Sequence, residues 1–179
     1  VAGISCYMGD VSGIYVSENA IYLTQSDGQE DDSRTLIHGF EASNELTYLG
    51  SGAVDGHLWG RGEVDFRMSE HEGYLRVVST KHVGPWDAED SIDHQLSVLK
   101  ISPDSLDLDV VATLPNSNRP DKIGKPNESL YGVRFFGDIL YLVTFETIDP
   151  LYVLDLSNPE EPIIAGELMV PGFSDFLHS

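Results

Sequence analysis

Six histidines, His38, His57, His71, His82, His94 and His178, are the side chains best suited to acid–base or metal chemistry in this chain. No two stand at the H-x-H or H-E-x-x-H spacing that sets two imidazoles on one metal from a single element. A metal site would need ligands gathered from distant segments. A serine nucleophile fares no better, because Gly172-Phe173-Ser174-Asp175-Phe176 has a phenylalanine where the second glycine of a nucleophile elbow allows the sharp turn. Ser174 reads as structural. Gly50, Gly52 and Gly56 lack the Lys-Ser/Thr pair and the following helix of a phosphate-binding loop, and they read as bends between repeats. The acidic loops Asp27 to Asp32 and Asp87 to Asp93 lack the alternating ligands and central glycine of an EF-hand. No cofactor and no catalytic residue is expected, and a calcium ion bridging a loop is the one cation considered. Asn127-Glu128-Ser129 fits an N-glycosylation acceptor.

Charge narrows the partners. The 179 residues carry 30 Asp plus Glu against 10 Lys plus Arg, a formal net charge of −20, which repels phosphate backbones and anionic lipid surfaces. Nucleic acid is excluded as an expected partner. Most of the acids fall in the loop segments and read as a solvated surface. The 41% of hydrophobic residues suffice for a core, yet no run approaches the eighteen or so apolar residues of a membrane span. Cys6 is the single cysteine, so an intrachain disulfide framework and a multi-cysteine zinc site are both ruled out.

The elements that would hold any site are short strands. Gly132 to Phe145 contains two alternating runs around Gly137-Asp138, and Gly13 to Gln25 repeats that outline around Ser17-Glu18-Asn19, with Ile21-Tyr22-Leu23 standing where Leu140-Tyr141-Leu142 stands. Leu151 to Pro159 likewise matches Leu96 to Pro103, each a strand ended by a proline that cannot donate to the ladder. Thr35 to Phe40 is a third copy. Leu46 to Gly52, Leu108 to Leu114 and Ile163 to Met169 supply a fourth strand to each unit.

A recurring four-strand unit predicts an all-β chain, a β-propeller fragment of about three antiparallel blades spanning approximately 11–52, 63–114 and 129–169 of a single domain. Residues 172–179 are expected to be the inner strand of a fourth, incomplete blade. Three blades do not close a ring, since propellers typically use about four to eight, so the remainder of the propeller or a second copy is expected to complete it.

Several segments together resemble a known family. Glu70 to Thr80 (EHEGYLRVVST), Tyr131 to Asp138 (YGVRFFGD), Val143-Thr144-Phe145 with Asp149-Pro150-Leu151, Gly166-Glu167-Leu168 and Pro171 to His178 (PGFSDFLH) are similar, in order and spacing, to secreted bacterial proteins with a C-terminal β-propeller domain distantly related to WD repeats. The stretch from His82 to Asp93 is longer than that pattern, and Ser179 stands where the family has proline. The resemblance implies a secreted, periplasmic or envelope-associated propeller. It implies no assigned catalytic residue.

In a propeller the first strand of each blade lines the central channel, so polar residues there converge from several blades. The inner strands read as Glu63 to Met68, Tyr131 to Phe136 and Phe173 to His178, which makes Glu63, Asp65, Arg67, Arg134, Asp175 and His178 the candidate channel-lining residues. Arg134 and Asp175 are expected to pair across blades, as buried charges require. Two functions fit. One is a non-catalytic scaffold presenting loops to a protein or polysaccharide; the other is a metal-assisted hydrolase at the channel mouth.

Overall fold

The alternation seen in the sequence becomes alternation of burial. In the strand Ala20–Asp27, residues Ala20, Tyr22 and Thr24 are buried, while Ile21, Leu23 and Gln25 between them are only half covered. The structure, a computed structural model, describes residues 9–28, 33–43, 46–58, 64–85, 91–102, 104–145 and 149–170. Twelve strands and one short 3-10 helix, Val64–Arg67, lie among the described residues.

The strands form three antiparallel meanders of four. The first is β1 (Gly13–Val16), β2 (Ala20–Asp27), β3 (Arg34–Glu41) and β4 (Thr47–Asp55). The second is β5 (Met68–His71), β6 (Tyr74–His82), β7 (Ile92–Ser102) and β8 (Asp107–Leu114). The third is β9 (Ser129–Phe136), β10 (Ile139–Phe145), β11 (Asp149–Asp155) and β12 (Ile163–Val170). Consecutive strands pair throughout, as short hairpin connections dictate. Glu72 and Gly73, at φ 49° and 82°, make the tight left-handed turn between β5 and β6 that a two-residue hairpin needs.

The sheets stack face to face. Tyr22, Ile37 and Val54 of the first sheet bury against Met68, Leu75, Val77, Leu99 and Leu108 of the second. Val78, Leu96, Val98 and Leu114, from the other face of the second sheet, bury against Leu130, Leu140, Leu142, Tyr152 and Leu154 of the third. The middle sheet is therefore covered on both sides. That is why Leu75 to Thr80 of β6 are buried without interruption, a continuous run that replaces the alternation of an edge sheet.

The first and second sheets also touch at their outer strands, where β4 meets β8 in one parallel bridge, Ser51 to Asp107. Gly52 makes this approach feasible: a Cβ there would overlap the Leu108 carbonyl oxygen. The short helix contacts β1, β5 and β9, so the first strands of all three sheets gather around it. The architecture is all-β and has the repeated four-stranded sheets of a β-propeller.

One expected strand is corrected. Residues 64–67, read as part of an inner strand from Glu63 to Met68, form the 3-10 helix, and β5 begins only at Met68. The turn at Glu72-Gly73 fixes the register of that hairpin, and Met68 is the last residue of the chain leading in that still finds a partner, Val77. Upstream of it the chain turns away and coils. The proposed inner strand at 173–178 lies outside the described residues.

Candidate functional site

Arg134 sits in the middle of β9, and its guanidinium lies 5.0 Å from the ring centre of Phe66 on the short helix. Arg67 is next to that phenylalanine in sequence but goes the other way. It is only 3% exposed and donates from Nη1 to the Thr80 hydroxyl at 3.1 Å. Asp65 belongs to the same helix, with its side chain outside what is described; Glu63, Asp175 and His178 fall wholly outside the described residues. Of the six sequence candidates, then, Arg134 contacts the short helix through Phe66 and Arg67 is part of that helix.

Arg67 opens a buried polar chain that sequence reasoning did not find. His94 Nε2 lies 2.8 Å from the Glu128 carbonyl oxygen, which can only accept, so Nε2 carries the proton. Nδ1 of the neutral ring is then an acceptor, and the Thr80 hydroxyl donates to it at 3.0 Å while accepting from Arg67. The Glu128 carboxylate continues the chain, accepting from the Thr144 hydroxyl at 2.6 Å and the Lys125 backbone N–H at 2.8 Å. Burial pushes the His94 imidazole down to about 4, opposed by its bond to the Glu128 carbonyl and helped by the positive charge of Arg67. Burial also lowers Arg67, to about 10, which leaves it charged at neutral pH. This chain ties the short helix, the second sheet and the third sheet together. No signal of it stood in the sequence, since Thr80 shares its face of β6 with Arg76 and His82 as well as with Val78, so nothing in the pattern sets it apart.

Two more polar hubs join sheets. Glu70 of β5 accepts from Ser17 Oγ at 2.5 Å and from Tyr22 Oη at 3.0 Å, both on the first sheet's β1–β2 hairpin, while its backbone N–H donates to Tyr15 Oη at 3.0 Å. The Tyr22 phenol is pushed well up, by burial first and by the Glu70 charge second. Arg76 of β6 donates to the Gly137 carbonyl and to Ser69 Oγ, each at 2.7 Å, and lies 5.0 Å from the Phe135 ring centre. His71 Nε2 reaches Asp138 at 3.2 Å on the same hairpin of the third sheet.

A cavity of about 390 Å³ lies at the junction of the first two sheets, walled by Glu18, Glu41, Leu49, Glu70, Gly73 and Ile101 among others. Its lining combines three glutamates with the apolar Leu49 and Ile101. Among the described residues no group of three or more His, Cys, Asp or Glu comes together in a way that could hold a metal ion, and no helix is long and apolar enough to cross a membrane. In the triplet that fits a glycosylation acceptor, Asn127 Oδ1 accepts from the Ser91 N–H and hydroxyl at 3.1 and 3.0 Å.

With the geometry in place, comparison with other proteins adds the following. The profile described as the beta propeller domain matches residues 2–179. An uncharacterized protein of Methanocaldococcus jannaschii is 41% identical over 128 residues, covering 72% of this chain and 18% of that protein. An uncharacterized protein of Archaeoglobus fulgidus is 40% identical over 166 residues, covering 90% of this chain and 22% of that protein. The chain thus spans about a fifth of the length of the curated relatives it matches. Both are archaeal, whereas the sequence resemblance was to a bacterial family. No solved structure matches at a significant level.

Proposed function

Because the chain belongs to the beta propeller domain family, we propose that it acts as a non-catalytic scaffold, exported to the envelope of an archaeal or bacterial cell, that presents its loops to a protein or polysaccharide. One observation carries this reading. Arg67, Arg76, His94 and Glu128, four of the buried ionisable groups among the described residues, are all committed to hydrogen bonds that join one sheet to the next or to the short helix. Glu70, less buried, is committed in the same way. Such groups stiffen a frame, whereas a catalytic set converges on an open cleft. Among the described residues, the recess at the junction of the first two sheets, lined by Glu18, Glu41 and Glu70, is the seat this reading offers a ligand. Export and distant kinship to WD repeats rest on the sequence resemblance.

Calorimetric titration with a lysine-rich peptide and, separately, with envelope polysaccharide tests the scaffold. Saturable binding without turnover is the expected result, weakened by salt for the peptide and indifferent to salt for a neutral glycan. Hydrolysis of ester, phosphodiester or glycoside substrates that stops when divalent ions are chelated would replace the scaffold with a metal-assisted hydrolase. Fractionation tests export: recovery of the protein in the cytosolic fraction alone would remove the envelope from the proposal.

A further inference from the structure

The recess between the first two sheets is walled by segments far apart in the chain, and its chemistry is one-sided. Glu18 comes from the turn between β1 and β2, Glu41 from the last position of β3 and Glu70 from β5, while Leu49 of β4 and Ile101 of β7 supply apolar wall. More of the wall is apolar than polar. Among the described residues that line it there is no basic side chain and no aromatic ring. The three carboxylates divide by role. Glu70 is committed to the first sheet, accepting from Ser17 and Tyr22 and, at 3.4 Å, from the Asn19 amide. Glu18 and Glu41 are exposed to solvent.

The walls are fixed before anything binds. The Ala42 N–H donates to the Asn19 carbonyl at 2.7 Å and ties the end of β3 to the β1–β2 turn. The Ile101 N–H donates to the Gly73 carbonyl at 3.1 Å and ties the end of β7 to the β5–β6 turn. Glu70 then locks the two sheets to each other. A ligand entering here meets a recess that needs no ordering, which removes one of the costs of binding. The volume of about 390 Å³ lies within the range of roughly 300 to 1,000 Å³ typical of small-ligand sites.

The lining selects the occupant. An anion would meet only carboxylates. A planar guanidinium gains from stacking on an aromatic ring, and none is offered. An apolar wall combined with carboxylates from three separate elements suits a compact cation on a methylene stem, which buries the stem and keeps the charged head among acids. We infer, resting on the scaffold reading above, that this recess is the docking seat for a lysine side chain of a basic protein partner. The stem lies along Leu49 and Ile101, and the ammonium is held by Glu18 and Glu41. Glu70 holds the walls and adds to the negative field. The net charge of −20 draws such a partner in from a distance, and the recess gives the encounter its register.

Titration calorimetry on the full polypeptide that the gene encodes, in about 0.15 M salt, decides the matter. The probes are a blocked peptide of alternating glycine and lysine and its arginine and norleucine counterparts. Glu18→Gln with Glu41→Gln removes the two ammonium ligands; Glu160→Gln with Glu161→Gln removes the same charge from an exposed turn of the third sheet. The lysine peptide is expected to bind saturably, about tenfold more weakly after the first pair of exchanges and within about twofold of the native protein after the second. The arginine peptide should bind less tightly and the norleucine peptide not at all. All four exchanged carboxylates face solvent, so an unchanged melting temperature certifies the fold of both variants. Equal weakening by the two pairs would reveal a diffuse field in place of a seat and overturns the inference, as does an arginine peptide that binds as tightly as the lysine one. The two readings fail separately. Saturable binding of envelope polysaccharide with the lysine peptide inert sinks the seat and keeps the scaffold. Turnover of a hydrolysable substrate, with the lysine peptide still sensitive to the first pair alone, sinks the scaffold and keeps the seat.

Discussion

At the residue scale, Thr80 is the hinge of the buried polar chain, because one hydroxyl serves both Arg67 and His94. Thr80→Val keeps the shape and removes both bonds, leaving a buried guanidinium donor and an imidazole acceptor unpaired. A loss of about 3 kcal/mol is expected in chemical denaturation. His94 gives a pH test. Its folded value of about 4 lies below the ordinary 6.5, so the unfolded chain binds a proton that the folded chain refuses. Its contribution is complete above about pH 6.5 and is lost as pH falls toward 4, a depression equivalent to about 3 kcal/mol. Unfolding free energies measured across that window should slope more steeply for the native protein than for His94→Asn. Equal slopes would show that His94 is not held neutral. None of these roles was legible in the sequence, since Thr80 and His94 become partners only through the register of β6 on β7, and Glu128 joins them only through the packing of the third sheet. Arg67 and Arg134 were singled out as channel-lining members of two inner strands; Arg134 does lie in β9, but Arg67 sits on a helical turn that alternation cannot foretell.

At the scale of elements, the contact between β4 and β8 rests on the absence of a side chain. Gly52→Val would drive a branched side chain into the Leu108 backbone, and overpacking of this kind costs about 2 kcal/mol. For a chain of this size that lowers the melting temperature by roughly 4 to 8 °C, measurable by calorimetry. Amide exchange should quicken in β4 and β8 and stay unchanged in β10 and β11. The strands themselves were largely readable. β2, β3, β8, β9, β10 and β12 fall within a few residues of the alternating runs, because a sheet with one buried face writes its period of two into the sequence. β5 was misplaced because the segment before it carries apolar and charged residues in a strand-like order while its backbone has no partner to pair with.

At the scale of the whole molecule, a net charge of −20 on 179 residues repels itself in the folded state. Sodium chloride near 1 M shortens the screening length to about 3 Å, so the melting temperature should rise with salt, and unfolding scans at increasing ionic strength would show it. A flat response would mean that the acids are already compensated by local pairs such as Lys125 with Glu167 at 2.8 Å. By itself the sequence determined the all-β class, the four-strand repeat, the positions of most turns and the acidic surface, because each of these follows from local periodicity or from composition. Only the tertiary structure decided which sheet is covered on both faces, which ionisable groups are used to join sheets, and where apolar faces stay open. Those are properties of surfaces brought together from segments far apart in the chain, and a linear pattern records the surfaces without recording which of them meet.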